Sequence, residues 1–260
     1  MKTTDTRAAY WNEHYVDYWR NRVEEAALCS PSAAHPGDAN TEEDWVYQKV
    51  FDADPLRSGA VLDVGCGWGR MFPLFHAQGL RTSGIDISSA MISAARKNFE
   101  QDEWINALEV GIAEQLPFED ETFDNIVCVA VFDATYQHEA LSEFLRVLKV
   151  GGRLYLTGKN ACYRVDDVLA LDAERGARAK GHPNFFTDLE EMLKQLGNSD
   201  SVLSTYYLFE RRGDFAKFKY HTDLQARFYE WLIVVEKGRE SPKFTPFSSE
   251  FSKTFRSLFP

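Results

Sequence analysis

The sequence predicts an α/β domain built on a parallel sheet with helices on both faces. Three observations predict it. Apolar, β-branched runs alternate with helical stretches from residue 60 onward, a cluster of glycines follows the first run directly, and the pair Gly151-Gly152 stands between a helical stretch and the next apolar run. Strand–helix–strand alternation of this kind implies right-handed crossovers and helices packed on both sides of the sheet.

The elements follow in order. Residues 6–28 read as a helix rich in aromatics, with Tyr10, Trp11, Tyr15, Tyr18 and Trp19 spaced to share one face. Cys29–Asp38 is rich in Pro, Ser and Gly and reads as a loop, and Glu42–Phe51 as a short helix. Ala60–Val64 is the first strand, with a helix expected from Trp68 to Gln78. Thr82–Asp86 is the second strand, and the helix Ser88–Glu100 carries a Ser88-Ser89 cap. Ile105–Ile112 and Phe123–Val131 are the third and fourth strands. The helix Glu139–Leu148 is expected to stop at Gly151-Gly152, and Arg153–Thr157 is the fifth strand. Residues 159–186 break the rhythm, with a helix near Asp166–Ala179. Asp188–Leu196 is then a helix, and Val202–Glu210 and Phe228–Glu236 are strands. The tail 241–260 reads as irregular structure. Three regions result: a helical cap or lid over 1–52, the main domain over 53–240 with acceptor-site insertions at 159–225, and the tail.

Composition excludes several classes. A formal net charge of −11 speaks against nucleic acid as a partner, since phosphate binding draws on Lys and Arg. No apolar run is long enough to span a bilayer and no signal-peptide core is present, so a cytoplasmic protein away from membranes is expected. The four cysteines lack CxxC spacing and the pair Asp166-Asp167 lacks further ligands at suitable spacing, so no metal is expected. Residues 211–260 hold ten Lys/Arg against six Asp/Glu, which is either a solvated surface or a face for an anionic substrate. Oligomeric state is not readable.

The chemistry concentrates in Val61-Leu62-Asp63-Val64-Gly65-Cys66-Gly67-Trp68-Gly69-Arg70. A strand running into closely spaced glycines lets backbone approach a nucleotide-like ligand. A dinucleotide fingerprint needs a third glycine where Arg70 stands, which argues against a dehydrogenase. Asp63 suits a cationic amine, Asp86 at the end of the second strand can accept two ribose hydroxyls, and Ile87 and Met91 can flank a base.

These residues, with Ala113-Glu114-Gln115-Leu116-Pro117-Phe118 and Arg146-Val147-Leu148-Lys149-Val150-Gly151-Gly152 in the same order, resemble class I S-adenosylmethionine-dependent methyltransferases, in particular the branch of ubiquinone/menaquinone-biosynthesis methyltransferases. The resemblance covers roughly residues 58–160. It implies a Rossmann-like, seven-stranded, mostly parallel sheet whose last strand, with Phe228–Glu236 as the candidate, is antiparallel; the aromatic helix before it is read separately as an N-terminal helical lid. It implies S-adenosyl-L-methionine as cofactor: Asp63, Gly65, Cys66 and Gly67 at its methionine end, Asp86 on the ribose, Ala113 and Glu114 at the adenine, and Val129 and Ala130 facing the methyl group. The chain departs from the branch at Val150, where Pro is common, and at Val131-Phe132-Asp133-Ala134, where relatives carry His or Asn, so the acceptor chemistry does not carry over.

The expected reaction is methyl transfer to a small polar or anionic metabolite, most simply at oxygen, with sugar- or phosphate-bearing acceptors as candidates. The alternative is a protein that binds the cofactor without transferring methyl. A hydroxyl acceptor needs a base. His138, with Asp133 and Tyr136 nearby, is one candidate and His182 the other; either can instead be structural. Lys159, Asn160 and Arg164 are candidate contacts for an anionic acceptor. Trp11 and Tyr18, with Tyr10 and Trp19, either cover the sulfonium with aromatic faces or pack the helix on the sheet.

Overall fold

The computed structural model describes residues 6–12, 42–99, 101–160, 174–176, 178–179, 181–182, 184–210, 219–221, 230–239 and 242–250. The readings placed on Tyr15, Tyr18, Trp19, the 29–38 loop, Arg164 and Asp166-Asp167 lie outside these residues.

β1 (Ala60–Val64), β2 (Arg81–Asp86), β3 (Ile105–Val110), β4 (Phe123–Cys128) and β5 (Leu148–Lys159) are parallel and stand in the order β3-β2-β1-β4-β5. The sheet continues through β9 (Glu230–Glu236), antiparallel to β5, and then β7 (Val202–Glu210). This is the expected seven-strand frame with its antiparallel last strand. A short β8 (Lys219–His221) pairs with the outer side of β7 and brings the sheet to eight strands.

Side chains alternate across the strands, so each strand feeds two cores. On one face Leu62, Ile126, Leu154 and Ile233 meet α5 (Gln137–Val147) and α6 (Leu189–Gly197) through Leu141, Phe144 and Met192. On the other, Val61, Val127, Tyr155 and Leu232 meet α2 (Glu42–Ala53), α3 (Phe72–Ala77) and α4 (Ser89–Phe99) through Phe51, Phe72, Phe75 and Ile92. The Ser88 hydroxyl accepts from the Met91 N–H at 3.2 Å and caps α4 as expected. Asp188 caps α6 in the same way through the Glu191 N–H.

Several boundaries differ from the sequence reading. The helix expected from Trp68 begins only at Phe72, because Gly67 and Gly69 hold positive φ of 55° and 86° and cannot join a right-handed helix. α5 stops at Val147, before the glycine pair: Leu148 is already extended, and Gly151-Gly152 instead hooks onto β9 through reciprocal backbone hydrogen bonds with Lys237. The third and fourth strands end at Val110 and Cys128, short of the expected Ile112 and Val131. The polar stretch before α6 contains β6 (Phe185–Thr187), and the tail contains β10 (Ser248–Glu250), which pairs with it antiparallel. Phe244 and Phe247 of that tail join the α5-side core.

Two of the motifs hold each other. Arg146, at the end of α5, donates to the carbonyls of Leu116 and Phe118 at 3.0 and 2.8 Å and to Asp120 at 2.8 Å. Glu143 accepts from the Leu116 N–H at 2.8 Å and pairs with the same guanidinium. The turn after Glu114 therefore has its shape imposed by α5. Arg146→Ala should lower stability by about 2 kcal/mol, since hydrogen bonds to a charged donor are lost; urea unfolding monitored by circular dichroism measures this. A midpoint equal to that of the wild type would mean the turn holds itself.

Candidate active site

β1 and β4 are neighbours whose chains leave to opposite faces, β1 into α3 and β4 into α5. Ligands bind in the crevice that such a reversal opens at the carboxyl ends of the strands. The cleft there is lined by the 64–68 loop, Arg70, the ends of β2 and β4, the 111–114 turn and two N-terminal residues, Arg7 and Trp11. Gly65 has φ of 74°, and a Cβ on it would stand 2.3 Å from a methyl of Val131. At Gly67, with φ of 55°, a Cβ would meet nothing within 4 Å. The first glycine thus lets the lips of the crevice close, and the second leaves space for a ligand above its backbone. Ala130 also takes a left-handed φ of 58°, and its N–H donates to the Thr157 hydroxyl at 2.7 Å. This unfavourable conformation turns the chain aside at the end of β4, where Val131 swings over Gly65.

The carboxylates differ in their commitments. Asp86 accepts from the Gly67 N–H at 2.9 Å through one oxygen and from the Ser88 N–H at 2.8 Å through the other. Burial raises its pKa, and these two N–H groups offset only part of the rise. Asp63 is 2% exposed, and its Oδ2 has no hydrogen-bond partner. Burial pushes its carboxyl up to about 7 against the pull of Arg70, with Asp86 adding to the rise. An orphaned acid under the glycine loop and an open cradle at Gly67 suit a ligand with a cationic amino-acid end. Burial also raises the Cys66 thiol well above its usual range, so it stays protonated and packs rather than reacts.

A second group of polar side chains adjoins the cleft at the ends of β4 and β5. Lys159 lies 2.9 Å from an oxygen of Asp133 and 3.1 Å from one of Glu174, whose other oxygen accepts from the Asn184 amide. Burial works to raise the Asp133 pKa, but the ammonium of Lys159 outweighs it and holds the carboxyl below its ordinary value. His182 is 5% exposed and stands edge-on to Tyr10 and Trp11, ring centroids 4.7 and 4.8 Å away. Neither of its ring nitrogens makes a hydrogen bond. Burial depresses its pKa against the opposing pull of Asp133, so the imidazole is neutral at neutral pH.

Of the sequence-predicted cofactor residues, Gly65, Cys66, Gly67, Asp86, Ile87, Met91, Ala113, Glu114, Val129 and Trp11 line the cleft together. Asp63 lies buried beneath them, and Tyr18 falls outside the described residues. The Glu114 carboxylate is taken by Arg7 at 2.7 Å and by the Tyr136 N–H at 2.6 Å. Of the four catalytic candidates, Asp133 and His182 share the polar group beside the cleft. Tyr136 is half exposed and stacked under Arg7, and His138 is turned toward Glu139, 3.9 Å away; neither lines the cleft. Sequence reasoning missed Arg7 and Arg70 as cleft residues. In the sequence Arg70 stands out only as the residue that breaks a glycine pattern, and nothing local to Arg7 marks its partner 107 positions away. Among the described residues no cluster of metal-binding side chains occurs, and no helix is long and apolar enough to cross a membrane.

A family model described as a methyltransferase domain matches residues 62–156. The chain is 30% identical over 169 residues to a phosphatidylethanolamine N-methyltransferase of Cereibacter sphaeroides, covering 60% of this chain and 82% of that protein. It is 36% identical over 117 residues to a demethylmenaquinone methyltransferase of Symbiobacterium thermophilum, covering 43% of this chain and 47% of the relative. The chain likewise spans about half the length of the other menaquinone and ubiquinone methyltransferases it matches. Magnesium protoporphyrin IX methyltransferase from Synechocystis PCC 6803, solved with bound SAH, has the same fold at 18% identity, with a TM-score of 0.59 over 89% of this chain and 98% of that one.

Asp63 sets a pH dependence of stability. Its folded pKa of about 7 stands above the ordinary 3.8, so the folded chain holds this proton more tightly than the unfolded chain does. The contribution favours folding below the ordinary value and is lost as pH rises through about 7. Asp63→Asn should therefore flatten the decline in unfolding free energy between about pH 4 and 7, read by urea titration at several pH values. An unchanged slope would place the titrating group elsewhere.

Proposed function

The chain belongs to the class I S-adenosylmethionine-dependent methyltransferases, and from that premise we propose that it methylates an oxygen of a small polar or anionic metabolite, sugar- and phosphate-bearing acceptors first among them. The observation that carries this reading is the buried, neutral imidazole of His182, its nitrogens uncommitted, one aromatic ring away from the cofactor cleft.

Methyl transfer from a sulfonium is an in-line displacement that demands alignment and closeness. Bound S-adenosylmethionine supplies the activated methyl group. Asp63 would balance the cationic amine, Asp86 would accept the ribose hydroxyls, and Ile87 and Met91 would flank the adenine. Val129 and Ala130 would wall the methyl end, and Trp11, which lines the same cleft, would help cover the bound cofactor. In this reading His182 would take the acceptor hydroxyl proton as the carbon–oxygen bond forms and the methyl–sulfur bond breaks to leave the neutral thioether, and Asp133, held by Lys159, would stabilise the imidazolium. His138, beside Glu139, and Tyr136, stacked under Arg7, stand outside the polar group that holds His182 and Asp133 and are left as structural residues.

A nitrogen acceptor is the second reading, favoured by the name of the Cereibacter sphaeroides relative. A neutral amine needs no base, which separates the two.

Calorimetric titration of S-adenosylmethionine should show micromolar binding by the wild type, weakened by about 1–3 kcal/mol in Asp86→Ala as the ribose loses its acceptor. Equal affinities would remove Asp86 from the cofactor site. A release assay for S-adenosylhomocysteine should then find turnover with hydroxylated sugars or phosphate esters. Turnover with ethanolamine lipids alone would favour nitrogen. With a hydroxyl acceptor, His182→Gln should lower kcat by roughly 100-fold while leaving cofactor affinity unchanged. The wild-type rate should fall as pH drops through the depressed pKa of His182, below 6.5. A rate equal to that of the wild type in His182→Gln would rule out the imidazole as base.

A further inference from the structure

The N-terminal segment crosses the mouth of the cofactor cleft and is fastened on both sides of it. Arg7, in α1 (Thr6–Tyr10), is 5% exposed. Its guanidinium donates to the two oxygens of Glu114 at 2.7 and 3.3 Å and to the Ala134 carbonyl at 3.0 Å. It also lies 4.9 Å from the centroid of the Tyr136 ring. These contacts tie α1 to the turns that follow β3 and β4. Two residues beyond α1, the Asn12 side-chain oxygen accepts from the Ser88 hydroxyl at 2.8 Å and from the Ala90 N–H at 3.2 Å, which ties it to the start of α4 after β2. Between these ties Trp11 faces the cleft, and Arg7 and Glu114 line it too.

We propose that Arg7 is a positioning residue of the cofactor site, a latch whose release sets the rate at which cofactor and its thioether product enter and leave. The strap formed by residues 6–12 spans the ends of three strands that contribute to the cleft, so a ligand beneath it exchanges only when the strap lifts. The latch has two states, because a buried guanidinium is stable beside its carboxylate or out in water and unstable between them. Glu114, committed to Arg7 and to the Tyr136 N–H, serves the strap rather than the adenine. The inference rests on the cofactor assignment and is independent of the acceptor.

Stopped-flow release of S-adenosylhomocysteine, followed by tryptophan fluorescence and paired with thermal midpoints, tests it in the wild type, Arg7→Gln, Arg7→Gln/Glu114→Gln and Asn12→Ala. Release should quicken by roughly tenfold in Arg7→Gln, since changes at one interface appear mostly in the off-rate. Asn12→Ala should shift it in the same direction by less. The double variant leaves no buried charge alone, so its midpoint should return toward the wild type while release stays fast; a purely structural role would restore both together. Release at the wild-type rate in Arg7→Gln, or in both the double variant and Asn12→Ala should Arg7→Gln not fold, overturns the latch alone. Failure of the wild type to bind S-adenosylhomocysteine overturns the cofactor assignment and the latch with it.

Discussion

The site depends on the reversal of strand order at β1. Because β2 lies on one side of β1 and β4 on the other, the chain leaves β1 toward one face and β4 toward the opposite face. No helix can cover the gap between those departures, and a crevice stands at the carboxyl ends of the strands. Its lips are the glycine loop after β1 and the residues after β4. They approach closely enough that Gly65 has no room for a side chain beside Val131, and Ala130 must adopt a left-handed backbone to bring Val131 there.

Within the crevice, burial assigns different work to carboxylates of the same intrinsic chemistry. Asp86 is anchored by two backbone N–H groups, which fix its oxygens in place. Glu114 is neutralised by Arg7 and serves as an attachment point. Asp63 has burial without a full set of partners, and its proton affinity rises accordingly. A cation arriving near Asp63 relieves that cost, whereas one arriving near Glu114 displaces an existing partner. Beyond the crevice the same logic separates His182, neutral and uncommitted, from Asp133, kept ionised by Lys159.

Much of this was legible in the sequence because much of it is local. Strands β1 and β4 announce themselves as short apolar runs, the cap of α4 as a serine pair, and the glycine loop as a spacing. The two motifs around Glu114 and Arg146 read separately along the chain, and only their contact explains why both are needed: the arginine of the second shapes the turn of the first. Where local signals misled, a neighbour had overridden them. The stretch from Trp68 to Met71 has helix-compatible residues, but the positive φ of Gly69 delays α3. The glycine pair after α5 reads as a helix stop and is instead a hook for β9. The strands β6 and β10 are three residues each and exist only because they pair across some 60 positions.

The sequence by itself determined the strand–helix alternation and the position of the glycine loop, because these follow from residue periodicity and from backbone freedom at particular glycines, and its motifs carried the resemblance that implied the seven-strand frame and the cofactor. Only the tertiary structure decided which charges meet. Arg7 with Glu114, Lys159 with Asp133 and Glu174, and His182 against Tyr10 and Trp11 are pairings across long stretches of chain. Their partners are fixed by the sheet order and the loops it brings together, and no local pattern encodes that. The roles of the ionisable groups were therefore hidden until burial and contact set their proton affinities and their commitments.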